Sequence, residues 1–156
     1  MKIFKNIKLL LLVALAPILA SCSWADLPAY EDANIDGVAF YYRFKSPTDT
    51  DPITGEPMVR NVALTTSSLE IDADKGEVSL VVRASKSNFP AEIYEEMDAT
   101  NLIGTVTIST AARIEPTDHH KALGLPDDWT TPHSFVVTAA NGNKKTWTIT
   151  VTEFRK

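Results

Sequence analysis

Apolar and polar residues alternate with a period of two in several segments, and no segment sustains the 3.6-residue period of an α-helix. In residues 35–45, Val38, Phe40, Tyr42 and Phe44 fall on one face of an extended backbone, and polar or small residues occupy most of the other face. The pattern predicts strands that each bury one face.

Asn141-Gly142 is the strongest turn signal in the chain, because both residues tolerate positive φ. It lies between two alternating segments, residues 133–140 and 145–153. In the second segment, apolar residues alternate with four threonines, whose β-branched side chains favour an extended backbone while their hydroxyls stay hydrated. We therefore predict a closing β-hairpin. Its Thr-rich last strand is also a candidate sheet edge, open to a strand from another protein.

Short strands separated by turns are typical of a β-sandwich. Residues 88–97 depart from the pattern: Pro90 comes early, and Ile93 and Met97 are four residues apart, which predicts a short helix across one end. The prediction is an all-β fold, an antiparallel sandwich of seven to eight strands with one short helix. The strands are expected at residues 35–45, 58–65, 68–72, 77–84, 102–109, 133–140 and 145–153, with 111–115 as the eighth.

The N-terminus has the form of an export signal. Three lysines in residues 1–8 precede an unbroken apolar run at residues 9–20. Twelve apolar residues are too few for a spanning helix, which needs about 20, but they suit the hydrophobic region of a secretory signal. The expected organisation is a signal peptide at residues 1–21, a tether at 22–28 and one sandwich domain at 29–156.

The junction Leu19-Ala20-Ser21-Cys22 resembles the cleavage box of bacterial lipoproteins. The resemblance implies that Cys22 becomes the first mature residue and carries acyl chains, which would anchor the protein in a membrane. Ser23, rather than an aspartate, after the cysteine implies the outer membrane, with the periplasmic or outward side left open. Because Cys22 is the single cysteine, lipidation would exclude a disulfide or a thiol nucleophile.

Charge argues against nucleic acid as a partner. The 156 residues include 15 basic and 20 acidic side chains, for a formal net charge of −5. Removing residues 1–21 takes away three lysines and no acid, so the charge of the mature chain becomes −8. A surface this acidic does not favour binding to phosphates.

Residues 101–151 carry three recognisable features: a strand ending in Ala-Arg-Ile-Glu-Pro, an Asp-Trp-Thr-x-Pro loop at 128–132, and a closing hairpin ending in Lys-Thr-Trp-Thr-Ile-Thr-Val. Together they resemble the Ig-like or cadherin-like β-sandwich modules of Bacteroidetes surface lipoproteins. The resemblance implies an Ig-like sandwich of unknown function at the cell surface or in the envelope, and it supplies no catalytic residues to transfer.

The histidines are a candidate for transition-metal chemistry. Asp118-His119-His120 and His133 form the single histidine grouping. Adjacent histidines on an extended segment point to opposite sides, so at most one of the pair can join His133 at a metal ion. A polar loop is the favoured interpretation, and neither a metal nor a cofactor is expected.

Catalytic motifs are missing from the sequence. It contains no G-x-S-x-G nucleophile motif and no phosphate-binding glycine loop. Its adjacent acid pairs, Glu95-Glu96 and Asp127-Asp128, lie on predicted loops without a barrel to hold a sugar ring between carboxylates. We therefore do not expect an enzyme.

Aromatic residues are the remaining candidates for ligand binding. Tyr41 on the outward face of the first strand, Tyr94 on the predicted helix and Trp129 on a loop are candidates for a stacking platform for sugars. The alternative is that Trp129 closes the end of the sandwich and that residues 46–57 cover Tyr41. The expected function is thus a non-catalytic envelope module that binds carbohydrate or, alternatively, an assembly subunit that binds an envelope protein.

Overall fold

The computed structural model describes residues 30–117 and 119–156. The predicted signal peptide, Cys22 and the tether lie outside this part of the chain. The described residues form nine strands and one short α-helix, which confirms the predicted all-β sandwich. The elements are β1 (Ile35–Thr50), β2 (Pro57–Ala63), β3 (Thr65–Asp72), β4 (Glu77–Arg83), α1 (Ala91–Glu96), β5 (Leu102–Ile108), β6 (Arg113–Pro116), β7 (Pro126–Asp127), β8 (His133–Thr138) and β9 (Lys144–Arg155).

The strands form two sheets, one in the order β2-β1-β5-β7 and the other in the order β3-β4-β9-β8-β6. All recorded strand pairs are antiparallel except β4 with β9, which run parallel. The prediction that the Thr-rich last strand is an edge was wrong, because β9 lies between β4 and β8. Each neighbour covers part of its length: β8 pairs with Lys144 to Ile149, and β4 pairs with Thr148 to Arg155.

The core lies between the two sheets, where the period-two pattern places the apolar faces. On β1, Val38, Phe40 and Phe44 are buried. On β9, Trp147 and Ile149 are buried, while Thr146, Thr148 and Thr150 on the alternate positions are more exposed. Burial of alternate side chains is the expected result of strands with one apolar face.

A single residue, Leu64, connects β2 in the first sheet with β3 in the second. Its side chain is buried in the core, and its backbone N–H donates to the carbonyl oxygen of Phe40 at 2.9 Å. This anchor bends one extended segment across the end of the sandwich. Among the described strands, β2 and β3 are both edge strands, because each pairs with a neighbour in its own sheet on one side only.

The predicted closing hairpin is confirmed. Gly142 has φ +90°, in the left-handed region that favours glycine, and Ala139 N–H donates to the carbonyl oxygen of Asn143 at 2.8 Å. The predicted helix is also present, although it is shorter than the predicted segment. It follows Pro90 and ends where Met97, which is fully buried, donates its N–H to the carbonyl oxygen of Ile93.

Candidate functional site

Trp129 does not form part of an exposed platform. Its side chain is 2% exposed, and its indole Nε1–H donates to the carbonyl oxygen of Leu102 at 3.1 Å. The Phe40 ring meets it edge to face with ring centroids 4.8 Å apart. The His133 imidazole stacks on the flat face of the indole, with ring centroids 3.9 Å apart and an interplanar angle of 4°. A sugar has no access to a face of this ring, so the structure favours the alternative that Trp129 closes one end of the core.

The two tyrosines lie in different settings. Tyr41 is half-buried on β1, opposite Ala63 of β2. Tyr94 is half-buried on α1, packs against the core, and has the Nζ of Lys86 6.0 Å from its ring centroid. No ring contact joins Tyr41, Tyr94 or Trp129 to one another in the described part of the chain. Because Trp129 is buried, the three rings do not form one exposed stacking surface.

A different surface is formed by β2 and the turn before it, residues 53–63, which we call the hairpin edge. Ile53 is 92% exposed and Val59 is 60% exposed, and Met58 is also exposed. Because β2 is the outermost strand of its sheet, no strand within residues 30–117 or 119–156 pairs with its outward row of backbone groups. Exposed apolar side chains on such a strand are the usual signature of a protein-binding or aggregating edge.

The outer face of the hairpin edge is shared with β1. Val59 lies opposite Lys45, and Asn61 lies opposite Arg43. Arg43 and Lys45 are both exposed, and the Arg43 Nε donates to the Asn61 side-chain oxygen at 2.8 Å. Directly opposed residues share a face, so this surface combines two cations with Val59 in a chain of net charge −5. Tyr41 belongs to the same face.

On the inner side of the hairpin, a charged pair stabilises its conformation. Arg60 contacts the Asp49 carboxylate at 2.5 Å, with the two side chains about half exposed. Hydrogen bonds from Arg60 and from the Ser46 hydroxyl, with the charge of the guanidinium, hold the pKa of Asp49 below its ordinary value. The pair links β1 to β2 within the break in their pairing register, which lies between Lys45 and Thr50.

The structure also stacks the three histidine rings and brings His120 and His133 together with Asp127, which the expectation of a polar loop missed. His120 precedes β7, Asp127 ends β7 and His133 begins β8. Each of these three side chains offers one atom that could bind a metal ion, an imidazole nitrogen or a carboxylate oxygen, and the three atoms lie within 4.8 Å of one another. We call these three residues the imidazole cluster. His133 is fully buried rather than part of a polar loop, and Asp118 lies outside the described residues.

The rings of the imidazole cluster are stacked. His120 lies on His133 with ring centroids 3.6 Å apart and an angle of 16°, and His119 lies 4.8 Å from His120 on the exposed side. His133 is thus held between His120 and Trp129. Its Nε2 is 2.7 Å from the carbonyl oxygen of Asp128. Since a carbonyl only accepts hydrogen bonds, Nε2 carries a proton and donates it.

Asp127 supplies the negative charge of the cluster. Burial alone would raise the pKa of its carboxyl group. The backbone N–H groups of Lys121 and Asp128 donate to that carboxylate at 2.7 and 3.0 Å. These bonds and the nearby imidazoles bring the pKa of Asp127 below its ordinary value, so the carboxylate is ionised at neutral pH. One of its oxygens lies 3.5 Å from His120 Nδ1.

A family model described as DUF5018-related matches residues 35–150. The chain belongs to the DUF5018-related family. The matched residues begin at the start of β1 and extend into β9, so the family match includes both the hairpin edge and the imidazole cluster. The comparison with curated proteins gives no match.

A crystal structure at 1.81 Å resolution resembles this chain closely; it is that of a candidate secreted protein from Bacteroides fragilis. The two sequences are 39% identical, and the match covers 83% of this chain and 100% of the other, with a TM-score of 0.72. This is a Bacteroidetes-type domain of the DUF5018-related family, and the description of its relative is consistent with an extracellular or envelope location. No helix in the described residues has the length and apolarity needed to cross a membrane.

Proposed function

We propose that the protein is a non-catalytic, lipid-anchored protein of the bacterial outer membrane that binds an envelope protein along its hairpin edge. The observation that carries the proposal is the exposed Val59 on an edge strand, beside Arg43 and Lys45. An edge strand offers backbone hydrogen bonds to an added strand, and the side chains around it select the sequence of that strand.

The chemistry of the hairpin edge defines the partner. Apolar side chains on β2 favour apolar residues on the added strand, and the cations of β1 favour acidic ones. We therefore propose an extended segment that alternates acidic and apolar residues. Carbohydrate binding has less support, since Trp129 is buried and Tyr94 is on a different element from Tyr41.

Photocrosslinking tests the proposed partner site. A photoreactive phenylalanine analogue at Asn61, on the hairpin edge, is expected to capture a discrete partner in the native envelope. The same analogue at Glu115, an exposed residue of the edge strand β6 in the other sheet, is the position control. The proposal would be contradicted if the variant with the analogue at Asn61 gave only the uncrosslinked monomer, or if both positions gave the same crosslinked products.

Val59→Asp is expected to reduce the yield of the Asn61 adduct roughly tenfold, because it places a negative charge where an acidic strand would bind. Stability should change by no more than about 0.5 kcal/mol, as for surface substitutions in general. The matched control is Leu69→Asp, which changes an exposed apolar residue on the edge strand β3. Equal yields from the two variants would contradict the proposed site.

The proposed anchor has its own test. In cells fed a labelled fatty acid, the chain is expected to incorporate the label, and Cys22→Ala should abolish incorporation and release the protein from the membrane fraction, because the acyl chains provide the attachment. Cys22→Ser serves as a second variant that keeps the size of the side chain. Label that persists in both variants would rule out acylation at this residue.

A further inference from the structure

The imidazole cluster has the composition of a transition-metal site. Two imidazoles and one carboxylate form a donor set that suits Zn²⁺ and neighbouring first-row dications, whereas Mg²⁺ and Ca²⁺ prefer oxygen donors throughout. The three residues lie on consecutive pieces of chain, before β7, at the end of β7 and at the start of β8. This inference does not depend on the proposed partner or on the anchor.

The distances fit a single ion with a small movement. Two ligand atoms that are each about 2.1 Å from a tetrahedral zinc ion lie about 3.4 Å from each other. His120 Nδ1 and an Asp127 carboxylate oxygen are already 3.5 Å apart. All three donor atoms lie within 4.8 Å of one another, so an ion would draw the set together by less than about 1.5 Å.

Surrounding groups prepare two of the three ligands. The hydrogen bond from His133 Nε2 to the carbonyl oxygen of Asp128 places the lone pair of this imidazole on Nδ1 and orients the ring, as second partners of metal-bound histidines do. The Asp127 carboxylate is oriented by the hydrogen bonds that it accepts from the backbone N–H groups of Lys121 and Asp128. His133 is further fixed by stacking on Trp129.

His120 is the ligand that has to move. The lone pair of an imidazole nitrogen lies in the plane of its ring, so two rings stacked at 16° direct their lone pairs side by side and not at one point. His120 lies on the connection between β6 and β7, outside the strands, whereas His133 is in β8 and fully buried. Binding would therefore turn the His120 ring away from His133 and leave β8 in place.

We infer that His120, Asp127 and His133 form a binding site for a zinc-class dication, with the remaining coordination position open to water or to a side chain of a partner. The site would bind about one ion per chain. Because the ligands join the loop before β7 to the start of β8, the ion would also stabilise the folded state by mass action.

Calorimetric titration of the purified full chain in mild detergent with Zn²⁺ tests the site. The wild-type chain is expected to bind one equivalent and to show a higher Tm with zinc than without it. His120→Gln and Asp127→Asn should each weaken binding by at least about tenfold, since each removes one ligand. His119→Gln is the matched control, because His119 adjoins the cluster but is not one of the three ligands.

His120 is only partly buried, so His120→Gln is expected to fold normally, and its Tm without metal verifies this. Co²⁺ in place of zinc provides a spectroscopic check, as its visible absorption reports nitrogen coordination. Absence of zinc binding by the wild-type chain would overturn the inference. It would also be overturned by wild-type affinity in both ligand variants, or by Ca²⁺ or Mg²⁺ binding as tightly as Zn²⁺.

Discussion

Trp147→Ala is expected to lower the free energy of unfolding by about 3–5 kcal/mol, the usual cost of removing a large aromatic side chain from a core. Trp147 is fully buried on β9, and its Nε1–H donates to the carbonyl oxygen of Ala33 at 2.9 Å. The substitution removes this donor and leaves a cavity between the sheets. Because whole domains are stable by only about 5–15 kcal/mol, much of the stability would be lost.

Chemical denaturation of the variant and the parent measures the effect. Trp147→Phe keeps an aromatic ring and removes the indole hydrogen bond. Its free energy of unfolding should therefore lie between those of the parent and of Trp147→Ala, which separates the contribution of packing from that of the hydrogen bond. Leu69→Ala, at an exposed site on β3, is the control and should change stability by no more than about 0.5 kcal/mol. A loss below about 1 kcal/mol in Trp147→Ala would show that this ring is not the centre of the core.

Gly104→Ala is expected to destabilise the protein by about 3 kcal/mol, at the upper end of the range for overpacked cores. A Cβ atom at this position on β5 would lie 2.8 Å from the Cη2 of Trp129, well inside van der Waals contact. The Trp129 ring has no room to retreat, because Phe40 and His133 pack against it. Relief of the clash would require β5 or the buried indole to shift.

Gly37→Ala is the matched control, since Gly37 is also a strand glycine without positive φ. Its added Cβ would lie 3.7 Å from the Thr107 Oγ1, an ordinary contact. Reduced entropy of the unfolded chain should make this variant neutral or more stable by up to about 1 kcal/mol. Equal stabilities for the two variants would contradict the packing of Trp129 under β5.

Periodicity alone predicted most of the strands. The alternation around Phe40 and Trp147 predicted which faces of β1 and β9 are buried, since burial of one face is a local property of a strand. It did not predict which strands are neighbours. The threonines of β9 suited an edge, but half-exposed positions on the outer face of a central strand have the same composition, so the sequence could not separate the two.

The site residues were harder to predict because they depend on contacts between distant parts of the chain. The sequence is compatible with Trp129 either in a ligand platform or in the core, and its loop position carries no signal to choose between them. His120 and His133 are separated by a loop and by β7, a strand of two residues that is too short for periodicity to detect. The useful signal was Asp127 between them, which sequence reasoning treated only as half of an acid pair.

The place of β9 in the middle of its sheet also determines when the sandwich can form. Glu77 of β4 pairs with Thr148 of β9, about 70 residues later in the chain, and contacts of such long range form slowly. As the chain emerges N-terminus first, β3 and β4 pair early, but β4 must wait for β9 before its second side is covered. The sheet β3-β4-β9-β8-β6 is therefore completed only when β9, the last described strand, pairs with both of its neighbours.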